Sequence, residues 1–544
     1  MGEAHRVFGA GEEEKSGPVN GGMTLSLRDS AAVLVLFALL WAGVAVPVLS
    51  SPLGKYPVID ASWHFQWAEA VSRGDLFIYA PYFRAPLYPM VLASVFALTG
   101  PSVVAGVLLS FLLSAGAVHL VQRTVFETAG RTASFAAAAV TALNGVFLFY
   151  SSTLLITPLY IFLLVLSFYL FNRNSPSRWA WLVLGAAAVA RPSAILLFPV
   201  SLFLFRKKLL KSAWLFLVPV ASVWMINFFH GDFGTLISSQ GGINLYIGSG
   251  PEADGYTAFA PETANEPLPV DSLPYTDNVF AASIADFSEE ALPSAVSAFW
   301  TRRTLRYIME HLSESEVLIL KKMLLIVSPV AIPSNYDVYY FTGYSAVLGF
   351  LAGSPAIPVA GLIIWMAVPG ALAAGGFRRG EKEGLLWALT LAAGILPFFV
   401  TARFVLPLLP FIVIVTVPRV LRTPARSMAL AIPGLIAALV IAFHTGYTVK
   451  TGGVNMAFHD GIAHYRTGRS EESEILFLKA LETAMNRTDG IDLNGTDALY
   501  NLGIIAAGRS DMEAAERWWT AALERDSGHS LSRVALEGLT RRHN

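Results

Sequence analysis

The 544-residue chain is 54% hydrophobic and 14% charged, and its formal net charge is −1. A soluble globular protein carries about 25% charged residues, so this composition is that of a membrane protein, and the near-zero net charge excludes a general attraction to nucleic acid. Cysteine is absent, which excludes disulfides, thiolate metal sites and thiol catalysis.

The N-terminal residues 1–29 are polar, with EEEK and GPVNGG clusters, and we predict a disordered tail. The apolar run 31–50 that follows is as long as a helix that crosses a bilayer. Its polar leader of about 30 residues differs from the short basic leader of a secretory signal. We therefore interpret 31–50 as a retained anchor that follows a cytoplasmic N-terminus, with cleavage near Ser50 as the alternative.

Ten further apolar segments lie between residues 102 and 447. At one span per ~20 residues, they predict an all-α, polytopic membrane domain over 30–450 with roughly 11–13 spans. Basic residues cluster in the intervening loops, and such loops belong in the cytoplasm. The loops 51–85 and 230–316 then lie on the outer face, together with everything after the last span, in a cell (plasma or inner) membrane. The basic loops are 123–131, 173–178, 206–211, 378–382 and 419–426.

The C-terminal residues 454–544 have the composition of a soluble domain and contain an internal repeat. Small and aromatic residues recur at the same four offsets in two segments, and this pattern resembles the tetratricopeptide repeat, a helical hairpin. Because about three repeats are usually needed for stability, we expect the membrane domain to support this module. A docking surface for a partner and a simple spacer are equally favoured functions. The matching positions are Gly461, Ser473, Phe477 and Ala480, and then Gly503, Ala515, Trp519 and Ala522.

The first outer loop is rich in aromatic residues, as suits a membrane interface. Asp60 precedes His64 by four residues, so on a helix the carboxylate lies beside this side chain. A partly desolvated carboxylate has a raised pKa and can act as a general base. The alternative is an N-cap for the amphipathic segment that follows, and chemistry alone favours the cap.

Three arginines are candidates for binding an anion near the membrane surface. Arg84 lies before two prolines in an interfacial segment, where its planar guanidinium can bind a lipid phosphate or simply anchor the chain. Arg191 and Arg403 lie in apolar sequence next to prolines, and charges at membrane depth tend to mark a site. For Arg403 the alternative is a charge on the rim of the membrane domain.

Other chemistries find little support in the sequence. No H-E-x-x-H motif and no nucleotide-binding glycine loop occurs, and Asp60 and Asp75 are too far apart to indicate a metal site. We therefore predict no cofactor and no metal. The cytoplasmic loops are too short for a nucleotide-sugar domain, so a small-molecule donor must be linked to a lipid or arrive from outside.

These residues, taken in order, resemble the GT-C glycosyltransferases, in particular the family-39-like group related to protein O-mannosyltransferases and lipid A aminoarabinose transferases. That group has an acidic residue at the start of a loop helix, then Gly-Asp, then a Lys-Pro-Pro-Leu or similar element. This chain has Asp60, then Gly74-Asp75, then Arg84-Ala85-Pro86-Leu87. The segments 402–411 and 241–257 also resemble parts of such proteins, including bacterial members that end in tetratricopeptide repeats.

The resemblance implies an enzyme that moves a sugar from a polyprenyl-phosphate donor to an acceptor on the extracytoplasmic face, with inversion. Asp60 would be the general base. Arg84 and Arg403, with Arg191 as a weaker candidate, would bind the leaving phosphate. Two departures from the pattern stand out, since Arg84 replaces a more usual Lys and Thr157-Pro158 stands where many relatives have a second acidic residue. Weaker substrate-binding candidates are His64, Tyr82, Tyr88, Asn244 and Tyr246.

Two other functions remain open. The chain is alternatively a non-enzymatic membrane component, either a lipid-saccharide transporter or an assembly scaffold that docks a protein partner through residues 454–544. It is also open whether one sugar or a whole glycan is transferred. The acceptor is a protein, a lipid or a glycan, and the sequence names neither it nor the sugar.

Overall fold

The computed structural model describes residues 25, 27–258, 292–372, 376–423, 431–449, 455–486, 492 and 494–543. Throughout these residues the chain is helical and contains no strand. The predicted all-α class is therefore confirmed. The predicted tail at 1–24 and the middle of the second outer loop, 259–291, lie outside the described residues.

Residues 27–229 form eleven α-helices, most of them apolar. Two long helices, α1 and α5, have shorter helices packed around them. In chain order the helices are α1 (Leu27–Ser50), α2 (Pro52–Lys55), α3 (Asp60–Ser72), α4 (Leu87–Thr99), α5 (Val103–Ala129), α6 (Arg131–Ala142), α7 (Gly145–Tyr150), α8 (Thr157–Asn172), α9 (Trp179–Ala190), α10 (Leu197–Leu209) and α11 (Leu217–Phe229), with 3-10 turns at Pro192–Leu196 and Leu210–Phe216.

From residue 241 onwards, the described part of the chain continues with shorter helices and ends in five helices of soluble character. In chain order these are α12 (Gly241–Ser249), α13 (Pro293–Glu310), α14 (Leu312–Ile326), α15 (Val338–Phe341), α16 (Ala346–Ala352), α17 (Val359–Leu372), α18 (Glu381–Ile395), α19 (Ala402–Val405), α20 (Leu409–Arg422), α21 (Ala431–Val449), α22 (Met456–Arg466), α23 (Ser470–Met485), α24 (Gly495–Gly508), α25 (Met512–Arg525) and α26 (Ser530–His543), with a 3-10 turn at Leu406–Leu408.

Four helical stretches in the described part of the chain are long and apolar enough to cross a membrane, namely Arg28–Ser50, Val103–Ala129, Leu210–Phe229 and Ala402–Arg422. Five shorter apolar helices accompany them. Interruptions in the helices divide some of the other apolar runs. The run 179–205, for example, is interrupted at Arg191, just before Pro192, because proline removes a helical hydrogen bond. The total of 11–13 spans remains a prediction.

α1 begins at Leu27, two residues before the predicted end of the N-terminal tail at residue 29. Asp29 lies in the first turn of this helix, where a negative charge is favourable. It also accepts a 2.7 Å hydrogen bond from the Arg131 guanidinium. This ion pair joins the polar start of α1 to the first turn of α6.

Charged residues of several predicted cytoplasmic loops come together at one end of the bundle. Beside the Asp29–Arg131 pair, Gly380 approaches Thr128, and the Arg379 guanidinium donates to the carbonyl of Asn172 at 2.6 Å. The 24 residues of α1 extend about 36 Å from this end, which is close to the thickness of a bilayer core. The loop that carries Asp60 follows the opposite end of α1.

The C-terminal helices form two antiparallel hairpins and a last helix. The repeated offsets place an aromatic ring on a glycine in each hairpin: a Cβ atom on Gly461 would lie 2.9 Å from the Phe477 ring, and one on Gly503 would lie 2.2 Å from Trp519 Nε1. The Trp519 indole also donates to the carbonyl of Tyr500 at 3.1 Å. Small residues are therefore required where the two helices of a hairpin meet.

Gly503→Ala is expected to destabilise the C-terminal module by about 1–3 kcal/mol, because the added methyl overpacks the contact with Trp519. Gly508→Ala, in the same helix, is the matched control, since nothing lies within 4 Å of a Cβ at that position. Two measurements compare the stability of the variants: thermal unfolding of the full chain, and limited proteolysis of the module. Equal melting of the two variants would contradict the packing of Trp519 on Gly503.

Candidate functional site

The candidate site begins at the first residue of α3, where the backbone is strained. Ile59, just before the helix, has φ 53° and ψ −127°, a left-handed region that is unusual for a β-branched residue. With this backbone conformation at Ile59, the Asp60 side chain points into the protein, where Asp60 is only 6% exposed. Such outliers cluster at functional sites, because the surrounding structure must hold them in place.

The Asp60 carboxylate is shared by two arginines from distant parts of the chain. Arg84 Nη1 donates to Asp60 Oδ1 at 2.7 Å, and Arg403 Nη1 forms a very short contact with Asp60 Oδ2. All three side chains are largely buried. The interpretation of Asp60 as a helix cap is therefore wrong, because both carboxylate oxygens are engaged by guanidinium groups.

Arg84 is positioned by hydrogen bonds that fix the end of the first outer loop. The fully buried Asn227, in the otherwise apolar α11, accepts a hydrogen bond from the backbone amide of Tyr82 at 2.9 Å. The amides of Ser239 and Gln240 donate to the carbonyls of Tyr82 and Phe83 at 3.1 and 3.0 Å. The two outer loops are thus joined directly before Arg84.

Arg191 and Arg403 converge on one aromatic ring. The Arg191 guanidinium lies 4.6 Å from the Phe404 ring centroid and 5.1 Å from that of Tyr160, and the Arg403 guanidinium lies 5.0 Å from Phe404. Arg191 also donates to the backbone carbonyl of Arg403 at 3.3 Å. Such stacking positions a guanidinium without neutralising it.

The site therefore carries an excess of positive charge. Asp60 is one carboxylate shared by Arg84 and Arg403, and it also attracts Arg191. Among the residues that the structure describes, Arg191 forms no ion pair with a carboxylate, and the buried Nε of Arg403 has no hydrogen-bond partner. Buried charge of one sign is costly, so this arrangement favours an anionic ligand.

The expectation that burial raises the pKa of Asp60 is wrong once its neighbours are included. Burial does raise the pKa, but the charges of Arg84 and Arg403 lower it by more, and the pKa of Asp60 lies well below its ordinary value. With both arginines in contact, Asp60 is a stable anion and a weak base. It becomes a stronger base only if its arginines are drawn away from it.

His64 lies one turn after Asp60, on the inner side of α3. Its ring packs edge-on against Tyr88, with centroids 5.0 Å apart, and both residues are buried. The ring of Tyr82, also buried, packs on Trp67 at 5.6 Å, and burial raises the pKa of Tyr82 to about 12. The wall behind the ion pairs is thus made of buried rings, those of His64, Tyr82 and Tyr88.

Acid is expected to destabilise the protein through His64. Burial lowers the pKa of His64 from 6.5 to about 3, whereas in the unfolded chain the imidazole takes up a proton near its ordinary pKa. Stability is therefore lost as the pH falls from 6.5 towards 3. This loss amounts to about 2 kcal/mol by pH 5.

The measurement compares wild type with His64→Phe, which keeps a ring against Tyr88. Melting temperatures of the detergent-purified chain at pH 7 and pH 5 should differ less in His64→Phe than in wild type. His230→Phe is the control, because His230 is exposed, and it should retain the wild-type pH dependence. Identical pH dependence in His64→Phe and wild type would contradict the assignment of this acid sensitivity to His64.

Asn244 and Tyr246 lie on α12, next to the site rather than at the Asp60 carboxylate. The Tyr246 ring packs 4.8 Å from Trp300, and the Arg303 guanidinium lies 5.1 Å from its centroid. Phe83 belongs to the same apolar cluster, which brings this cluster beside Arg84. Asn244 is half-buried on the same helix.

A small groove of about 30 Å³ has Pro57, Phe149, Tyr336 and Phe341 among its lining residues, and neither Asp60 nor its arginines line it. Burial and, more weakly, the charge of Asp60 raise the pKa of Tyr336. The sequence analysis did not single out Tyr336.

Asp337 is a second acidic residue near the groove that the sequence analysis missed. Its carboxylate accepts a 2.9 Å hydrogen bond from the amide of Tyr339 at the start of α15. Burial raises the pKa of Asp337 to about 6. The sequence carries a weak signal for it, an Asp within the aromatic run NYDVYYF at 335–341.

Fold and site together define an all-helical protein with candidate membrane helices and a buried cluster of three arginines around one carboxylate. Comparison with models of protein families, with curated proteins and with solved structures gave no match.

Proposed function

We propose that the chain is a polytopic membrane glycosyltransferase that moves a sugar from a polyprenyl-phosphate donor to an acceptor on the extracytoplasmic face. The observation that carries the proposal is the excess positive charge around Asp60, where Arg191 has no carboxylate partner among the described residues. The planar fork of donors on a guanidinium group matches the oxygens of a phosphate.

The charge of the site suits the product side of the reaction. The acceptor hydroxyl attacks the anomeric carbon from the face opposite the leaving group, the bond from this carbon to the phosphate oxygen breaks, and the hydroxyl proton passes to Asp60. The donor is a phosphodiester with one negative charge, and the leaving polyprenyl phosphate is a monoester that develops a second. Arginines that bind the leaving group more strongly than the donor lower the barrier.

Binding of the phosphate would also make Asp60 a stronger base. A phosphate that binds Arg84 and Arg403 competes with the carboxylate for their hydrogen-bond donors. As the arginines turn towards the phosphate, the interactions that lower the pKa of Asp60 weaken, and its burial then raises the pKa. The carboxylate would thus gain basicity when the donor is in place.

The orientation of the chain is part of the proposal. Charged residues of predicted cytoplasmic loops meet at one end of the bundle, and the loop that carries Asp60 lies at the other. By the positive-inside rule the site faces outwards in a cell membrane. The two helical hairpins between residues 456 and 525 support the assignment of tetratricopeptide-like repeats to residues 454–544. In this orientation the repeats lie on the same outer face as the site.

The alternative is a non-enzymatic component, either a lipid-saccharide transporter or a scaffold that docks partners through the C-terminal module. A transporter would bind the phosphate without consuming the donor. In a scaffold, deletion of residues 455–544 should reduce function more than any substitution in the outer loops.

The test uses the purified full chain with a polyprenyl-phosphate sugar, polyprenyl phosphate and the matching polyprenol. Polyprenyl phosphate at 100 times its Kd should stabilise the chain by about 2.7 kcal/mol, and the polyprenol, which lacks the phosphate, should not. Release of polyprenyl phosphate from the donor, with transfer of labelled sugar to a membrane fraction, would distinguish the enzyme from a transporter. Equal stabilisation by polyprenol and polyprenyl phosphate would contradict the phosphate site.

A further inference from the structure

A short segment, residues 334–344, joins the small groove lined by Tyr336 and Phe341 to the C-terminal module. On one side, its residues Tyr336 and Phe341 line the groove. On the other, Tyr340 and Tyr344 both donate hydrogen bonds to Asp460 of α22. We call residues 334–344 the bridging segment, and we propose that the module holds it in place through Asp460, which thereby acts as a positioning residue for the groove.

The contact with Asp460 is buried and specific. Asp460 is only 2% exposed, and its Oδ2 accepts from Tyr340 Oη at 2.7 Å and from Tyr344 Oη. Its Oδ1 lies 3.1 Å from His464 Nδ1. A buried carboxylate left without such donors is costly, so Asp460 strongly favours the arrangement in which both tyrosines face the module.

Further contacts join the module to the same end of the membrane domain. The Lys479 ammonium lies 5.7 Å from the Tyr340 ring, and the Arg466 guanidinium lies 5.9 Å from the ring of Tyr56. Met456, at the start of α22, packs into the main hydrophobic core rather than into the core of the module. The first hairpin is therefore docked on the domain and is not a freely attached unit.

On its inner side, the bridging segment packs on the residues that form the opposite wall of the groove. Phe149 contacts Phe341 at 5.0 Å and Tyr336 at 6.2 Å between ring centroids. The Tyr339 hydroxyl accepts from the amide of Ala331 at 2.9 Å. Displacement of the segment would therefore widen the groove and separate Tyr336 and Phe341 from Phe149.

The absence of cysteine from the chain makes a direct test possible. Ser334 is 7% exposed, so Ser334→Cys provides a single buried thiol whose reaction with a maleimide reports opening of the bridging segment. Asp460→Ala in this background should speed labelling by roughly tenfold or more, as expected for loss of hydrogen bonds to a charged group. Tyr340→Phe with Tyr344→Phe removes the same bonds from the other partner and should have the same effect.

Glu513→Ala is the matched control, because Glu513 pairs with Arg517 on the exposed face of α25. It should label as slowly as the parent. Melting curves of all variants show that they are folded. Slow labelling in both Asp460→Ala and the double tyrosine variant would overturn the proposal.

The measurement of sugar transfer rests on the proposed function, whereas the labelling experiment does not. With a polyprenyl-phosphate sugar as donor, Asp460→Ala should raise the KM of transfer more than it lowers kcat, and Asp460→Asn, which keeps an acceptor oxygen, should recover part of the loss. Unchanged transfer despite fast labelling would overturn the positioning role. If wild type itself transfers no sugar while the labelling differences remain, the glycosyltransferase proposal fails and the structural role of Asp460 stands.

Discussion

Asp60→Asn is expected to abolish sugar transfer and, at the same time, to strengthen binding of polyprenyl phosphate. The amide cannot take the proton of the acceptor hydroxyl, and loss of a general base typically costs about 10²–10⁴-fold in rate. The same substitution removes the carboxylate that competes for Arg84 and Arg403. With these donors available, polyprenyl phosphate should bind roughly tenfold more tightly, which corresponds to about 1.4 kcal/mol.

Opposite changes in rate and affinity distinguish this site from a structural ion pair. Transfer is measured with labelled donor, and affinity is measured by the ligand-induced rise in melting temperature. Without ligand the variant should be less stable than wild type, because two buried guanidinium groups lose their carboxylate, and polyprenyl phosphate should restore much of that loss. Asp75→Asn is the control, since Asp75 lies exposed in the same outer loop.

Retained transfer in Asp60→Asn would remove Asp60 as the base. Asp337 is the acidic residue that the structure then offers, because burial raises its pKa to about 6, close to the pH at which a base is most effective. In that case Asp337→Asn should abolish transfer. Polyprenyl phosphate that binds wild type and Asp60→Asn equally would show that the phosphate does not bind Arg84 and Arg403.

The sequence predicted the parts of the site that depend on local order. Asp60 at the start of a loop helix and Arg84 before the next helix follow from the order of aromatic, glycine and proline residues between 51 and 89. The contact of Asp60 with Arg403 joins residues 343 positions apart. No periodicity fixes such a contact, and only the resemblance placed the two residues in one site.

The electrostatics of the site could not be predicted in the same way. Burial alone argues for a raised pKa of Asp60, and the opposite result arises because two arginines reach the carboxylate from other elements. Asp337 and Tyr336 were missed for a related reason, since only the packing of α15 brings them to the groove. Apolar runs predicted helices well, but the break at Arg191 shows that one run is not always one span.

Arg403→Gln should reduce transfer by about 10²–10³-fold, which is the usual cost of removing one donor to a developing negative charge. It should also weaken binding of polyprenyl phosphate, because truncation of one partner of a buried charged contact typically costs about 2–5 kcal/mol. Arg84→Lys keeps the positive charge and should lose less, since only the planar geometry changes. Arg178→Gln, in a loop predicted to lie on the other side of the membrane, is the control.

The double variant Asp60→Asn/Arg403→Gln separates catalysis from stability. Asp60→Asn leaves Arg84 and Arg403 without their carboxylate, and Arg403→Gln leaves Asp60 with Arg84 alone. Each single variant should therefore melt below wild type. In the double variant only Arg84 has lost its carboxylate, so the melting temperature should lie above that of Asp60→Asn, because the two effects are not additive. Transfer should remain abolished, because the base and one phosphate ligand are both missing. Transfer that recovered together with the melting temperature would mean that the Asp60–Arg403 pair only stabilises the fold.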